Sequence, residues 1–200
     1  MRVRPSGAGR SRTIPVVRGV SRGLASGQLR TGSGDLHPFG TAMTPSLQQL
    51  QRHYDSMPPV AVMQLSIDGY ADHRLHLRAP LSRHVNDKGC AFGGSLASLM
   101  TLAGWGLVWL ELEAAGLEAH IYVADSRIRY LAPLYDDLQV TASAAPDADW
   151  PGFVARLRER GRARIELVAN VPLPDGRIAT DFTGRYVAIA RPLAAAAADG

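Results

Sequence analysis

Residues 89–110, GCAFGGSLASLMTLAGWGLVWL, carry no charge. So long an apolar run must leave water, and a membrane span needs only about 20 such residues. Five of these positions are glycines (Gly89, Gly93, Gly94, Gly104 and Gly106), and several belong to the loop before the helix. Amphipathic, strand-like segments also flank the run and would have no part in a lone span. The run therefore reads as a core helix over about residues 95–116, apolar all round because it is buried on most sides.

The flanking segments say what buries it. TPSLQQLQRHYDSMPP predicts a helix with Thr44 as N-cap, Pro45 at its first position and Pro58-Pro59 at its end. HRLHLRAP alternates, with Leu75, Leu77 and Ala79 on one face. A weaker strand lies near VMQLSID. After the long helix come HIYVADSRIRYLAP, then DLQVTASA with Leu138, Val140 and Ala142 together. RARIELVANV follows with Ala163, Ile165, Leu167 and Ala169 together, and RIATDFTGRYVAIA comes after a PDG turn. A short helix is expected over about residues 150–159. Helix, two strands, long helix and four strands make an α+β fold. A helix of about 22 residues is roughly 33 Å long and matches strands of 9–10 residues, so it can lie along a twisted antiparallel sheet.

The net charge of +4 belongs to the beginning of the chain. Residues 1–42 hold seven arginines against one acid, Asp35, whereas the rest holds 15 basic and 17 acidic residues. A nearly neutral body lacks the basic stripe of a nucleic-acid-binding domain. Residues 1–42, rich in Gly, Ser and Arg, read as a disordered extension, with a transit peptide or a true start at Met43 as alternatives. Residues 192–200 read as an Ala-rich tail and residues 43–191 as one domain. The six histidines are scattered, and Cys90 is the single cysteine. No metal or other cofactor is implied. A reducing, cytoplasmic compartment fits.

The candidate chemistry sits at the mouth of the long helix. The first N–H groups of a helix lack intrahelical partners, and glycines let a ligand approach them closely. Gly93 and Gly94 could thus polarise a carbonyl and hold the oxyanion formed on attack. A permissive entry to a tightly packed helix explains the same pair, and spacing alone leaves both readings open.

NDKGCAFGGSLASLMT resembles the active-site segment of hotdog-fold acyl thioesterases: Asn, two residues, Gly, two residues, His-Gly-Gly, then an acid seven residues on. RIRYLAPL and GRARIELVANVPLPDGRIATDFTGRYVAI are similar to that family's later strands, so the likeness covers about residues 58–190. The Phe-Gly-Gly-Ser form and LAGWGLVWL resemble a bacterial thioesterase branch that also occurs fused behind an acetyltransferase-like domain. The resemblance implies a hotdog fold, an antiparallel sheet wrapped around one central helix. It also implies a dimer or dimer of dimers with sites across the subunit interface, and hydrolysis of coenzyme A or acyl-carrier-protein thioesters.

Carried onto this chain, the pattern gives Asn86 a positioning role and the Gly93 and Gly94 amides the carbonyl oxygen. His84, Phe92 and Ser95 would line the substrate. Two departures stand out: Phe92 replaces the histidine before Gly-Gly, and Thr101 stands where many members place the acid. A threonine hydroxyl can hold a water but is no general base at neutral pH. Asp125 is the first candidate to replace the acid, against the simpler reading of a solvent-facing or ion-paired strand aspartate. His84, which shares a face with Asn86 if the segment is extended, is the second, against that of an exposed loop histidine. The arginines at 156, 158, 160, 162 and 164 could meet phosphates or an acidic carrier, or merely form a solvated face. Trp105 and Trp109 read as core or as the wall of an acyl tunnel. Two other functions share the fold: a hotdog dehydratase, which needs a His and acid pair, and a non-catalytic acyl-thioester binder.

Overall fold

The computed structural model describes residues 43–191. The extension read at residues 1–42 and the tail at 192–200 lie outside the described residues. Helix α1 (Pro45–Ser56) begins as expected: Thr44 Oγ1 accepts a hydrogen bond from the Leu47 amide at 3.3 Å, and Pro45 fills a position that needs no N–H. It buries Leu47, Leu50 and Tyr54. The proline pair ends this helix and also opens a single further turn, α2 (Pro58–Ala61), because proline is tolerated in a first turn.

Strands β1 (Ser66–Ala71) and β2 (Arg74–Ala79) form a hairpin, and α3 (Gly93–Ala114) follows. Then come β3 (Ala119–Tyr130), β4 (Leu138–Ala144), α4 (Trp150–Arg160), β5 (Arg162–Pro172) and β6 (Ile178–Ala190). The strands make one six-stranded sheet, ordered β1-β2-β4-β5-β6-β3, with every neighbouring pair antiparallel. This is the hotdog arrangement that the resemblance implied.

The period-2 stripes of β4, β5 and β6 turn one face inward, with Val140, Ala142, Ile165, Leu167, Phe182 and Tyr186 buried beneath α3. Helix α3 buries Leu96, Leu99, Met100, Ala103, Leu107, Val108 and Leu110 in the same core. By length and composition α3 could cross a membrane. Its packing on the sheet and α1 makes it the core helix instead. Its two inner glycines each admit a tyrosine. Tyr186 Oη donates to the Thr101 carbonyl at 2.9 Å and Tyr54 Oη to the Leu102 carbonyl at 2.8 Å. A Cβ at Gly104 would strike Tyr186 Oη, and one at Gly106 would strike Tyr54 Oη.

Strand β3 is the exception to the inward packing. It sits at the sheet edge beyond β6, and only Ala119, Ile121 and Ile128 are even half-buried. The bulge between Val123 and Asp125 divides its two faces.

Candidate active site

The loop before α3 is fixed by main-chain bonds. Val85 bridges Ala91, the Asn86 amide donates to the Cys90 carbonyl at 2.8 Å, and the Phe92 amide donates to the His84 carbonyl at 2.6 Å. Asn86 spends its side chain inside this loop. Its Oδ1 accepts from the Lys88 amide at 2.8 Å and the Cys90 amide at 3.3 Å. Its Nδ2 reaches Cys90 Sγ at 3.2 Å and the Ala91 carbonyl at 3.4 Å. Gly89 closes the turn at φ +78°, where a side chain would be strained. Both polar atoms of the Asn86 side chain are thus engaged within the loop.

The loop delivers Phe92 in extended backbone as the N-cap of α3. A cap is usually Ser, Thr, Asp or Asn, whose side-chain oxygen takes up a first-turn amide. Phenylalanine has none. Among the described residues the N–H groups of Gly93, Gly94 and Ser95 meet no acceptor, and the first amide with a partner is Leu96, bonded to the Phe92 carbonyl at 3.1 Å. Three convergent donors at the positive end of a 22-residue helix are an anion-stabilising arrangement.

Both glycines also seat aromatic rings. A Cβ on Gly93 would lie 3.3 Å from Tyr130, whose Oη donates to the Gly93 carbonyl at 3.0 Å; a Cβ on Gly94 would strike the half-exposed Phe92 ring. On the sheet side of this helix start lies a cavity of about 350 Å³, lined by Ala91, Gly93, Leu96, Tyr130, Leu134 and Thr180 with the 131–133 segment. Its lining side chains are apolar apart from two hydroxyls. Tyr130 has its partner; Thr180 is fully buried, and its Oγ1 has none.

The side chains of the other expected residues stand apart. His84 is buried beneath the loop, with Nε2 2.8 Å from the Met63 carbonyl. Since a carbonyl only accepts, that nitrogen carries the proton. Thr101 lies eight residues beyond Gly93, about 12 Å along the helix. Asp125 pairs in register with Arg185 on the sheet face turned away from α3, and its carboxylate is held by the Arg185 guanidinium, with Nε at 2.9 Å. Within one chain the structure thus gathers Asn86, Phe92, Gly93, Gly94 and Ser95 with the main chain of His84, whose ring turns away to Met63, but not Thr101 or Asp125. No carboxylate lines the cavity. Asp87 faces solvent beside Lys88 at 2.9 Å, and Cys90 is buried against Asn86.

Helix α3 has a buried acid elsewhere. Glu111 accepts from Tyr70 Oη at 2.8 Å and lies 2.6 Å from His73 Nδ1. It is some 27 Å from Gly93 along the helix, too far to serve its mouth. Among the described residues no group of three or more His, Cys, Asp or Glu could hold a metal ion. Tyr130 and Thr180 line the cavity beside Gly93, and the motifs single out neither, although Tyr130 stands in RIRYLAPL. The signal available for Thr180 was its place in the inward stripe with Phe182 and Tyr186, a hydroxyl among core positions.

The family model described as "Putative thioesterase (yiiD_Cterm)" matches residues 47–190. The chain is 32% identical to a "putative thioesterase" from Shewanella oneidensis, over 72% of this chain and 97% of that one, with a TM-score of 0.65. It is 28% identical to a Chlorobaculum tepidum protein "with unknown function", over 72% and 94% of the two chains, with a TM-score of 0.68. A thioesterase from Haemophilus influenzae, 14% identical over 72% and 90%, has a TM-score of 0.55 and bears on the fold alone.

Proposed function

The chain belongs to the "Putative thioesterase (yiiD_Cterm)" family, and on that premise we propose that it hydrolyses acyl thioesters of coenzyme A or acyl carrier protein at the start of α3. The observation that carries this reading is the uncapped first turn, with three free amides beside an apolar cavity. The thioester carbonyl oxygen accepts from the Gly93 and Gly94 N–H groups. As water adds to the carbonyl carbon, the charge forming on that oxygen meets donors already in place. Each such donor is worth about 10²–10³ in rate. Collapse of the tetrahedral intermediate breaks the C–S bond and releases the carboxylic acid and the thiol. Asn86 contributes by fixing the loop that presents these amides, with Phe92 and Ser95 flanking the bound acyl group.

The water needs a second group. A second copy docked on the open edge of β3 would supply it. Thr101 is the candidate to hold the water, while Asp125 would first have to leave Arg185. Without a carboxylate base, the 10²–10⁴ that general-base catalysis adds is forgone, and turnover is expected to be slow. A cytoplasmic protein acting in acyl metabolism fits this chemistry.

The absence of a carboxylate from the cavity lining favours one rival, a binder of acyl thioesters without turnover. A dehydratase would need a His and acid pair, and no His or acid side chain lines the cavity at the helix mouth. Thiol release measured over a series of acyl-coenzyme A chain lengths separates these readings. Saturable hydrolysis of at least one chain length is expected; saturable binding with no release defeats the hydrolase reading.

A further inference from the structure

Three hydroxyls face α3 from the β3–β6 side of the sheet. Tyr186 Oη is bonded to the Thr101 carbonyl and Tyr130 Oη to the Gly93 carbonyl. The third, on Thr180, has no partner, although the residue is fully buried. A buried polar atom left unpaired is costly and rare in a folded protein. Valine, nearly the same shape, would fill the position without that cost, as Val171 does opposite it on β5.

The placement says what the hydroxyl is for. Thr180 pairs in register with Tyr130 and shares the inward face of β6 with Phe182 and Tyr186. It therefore lines the same cavity of about 350 Å³ as Gly93, whose amide is the proposed seat of the carbonyl oxygen. Every other side chain lining that cavity is either apolar or, like Tyr130, already bonded. An unsubstituted alkyl chain entering it would leave Thr180 unpaired in the complex as well. In this structure Thr180 Oγ1 has almost no accessible surface, so an oxygen on one of the first few carbons of the chain would complete it once the chain has parted the wall over Thr180.

We infer that Thr180 is a specificity-determining residue, and that the cavity takes acyl chains carrying a hydroxyl or keto oxygen close to the thioester. The inference rests on the thioesterase reading for where the carbonyl lies. A site built to hydrogen-bond a substrate oxygen discriminates against the analogue lacking it, because its own polar group is then stranded. For one neutral hydrogen bond the expected preference is about tenfold.

The test compares 3-hydroxyacyl-, 3-oxoacyl- and unsubstituted acyl-coenzyme A of matched length on the full chain. The wild type should show kcat/KM about tenfold higher for a substituted chain. Thr180→Val should bring the substituted chains down to the rate of the plain one, and Thr180→Ser, which keeps the hydroxyl, should restore the preference. Equal wild-type rates, or a preference that survives Thr180→Val, would overturn the inference. Binding of non-hydrolysable thioether analogues of the same pairs is measured alongside. If no thioester is turned over, the hydrolase reading fails. A tenfold tighter binding of the substituted analogue, abolished in Thr180→Val, would still uphold the role of Thr180. Equal binding of the two analogues would defeat that role even in an active enzyme.

Discussion

Phe92 decides what the start of α3 can do. A serine there would spend a first-turn amide on its own side chain and stabilise the helix by about 1 kcal/mol. Phe92→Ser is therefore expected to raise the urea midpoint while lowering kcat/KM about tenfold, a trade of function for stability. A variant both more stable and fully active would show that these amides do not hold the carbonyl. Asp125 gives the opposite expectation. Its carboxylate is committed to Arg185 on the far face of the sheet, so Asp125→Asn should change kcat by less than about threefold. A loss of 10² or more would reinstate it as the base. His76 carries a pH dependence. Burial, then Arg74, holds its imidazole below the ordinary histidine range, against a smaller pull from Asp68. The unfolded chain therefore takes up this proton first, and stability present above that range is lost as pH falls through it. The urea midpoint should be lower at about pH 5.5 than at about pH 7.5, and His76→Gln should narrow the gap. An unchanged gap would show that His76 is not its source.

Helix α3 was only partly legible in the sequence. Its apolar face-to-face burial was legible because an uncharged run of that length has few other homes. Its bounds were not: it runs from Gly93 to Ala114 and not over 95–116, since the glycines are the first helical residues and Gly116, at φ +66°, lies beyond the end. Thr180 was illegible for a different reason. Whether a hydroxyl is paired depends on β3 and β6 meeting across fifty residues, and no local period reports that. Trp105 likewise proves half-buried, with Nε1 3.3 Å from the Ile121 carbonyl and its ring stacked on His53 at 5.0 Å. With Trp109 it lines a separate cavity of about 390 Å³ between α1, α3 and β3. The tyrosine seats in α3 are equally a product of packing. Gly106→Ala should cost about 1–3 kcal/mol through overpacking. Tyr54→Phe in the same chain should recover part of that, because the hydroxyl is the nearest obstacle and Leu75 the next. Additive losses in a double-mutant cycle would contradict this packing account.

For the whole molecule, the open strand is β3. A 12-residue edge exposing Tyr122 and Val123, with no further strand beside it among the described residues, is the kind of edge that proteins cover. Light scattering should give a mass of twice 21.5 kDa or a larger even multiple. The double variant Tyr122→Lys with Val123→Lys should yield a monomer with little turnover. A fully active wild-type monomer would remove the need for a second copy. Amide NMR during titration with a non-hydrolysable acyl-coenzyme A ketone reports whether the carbonyl of an acyl thioester rests on the first amides of α3. The Gly93 and Gly94 amide protons should move downfield and saturate with the ligand. Saturable binding that leaves those two resonances in place would show that the carbonyl does not rest there.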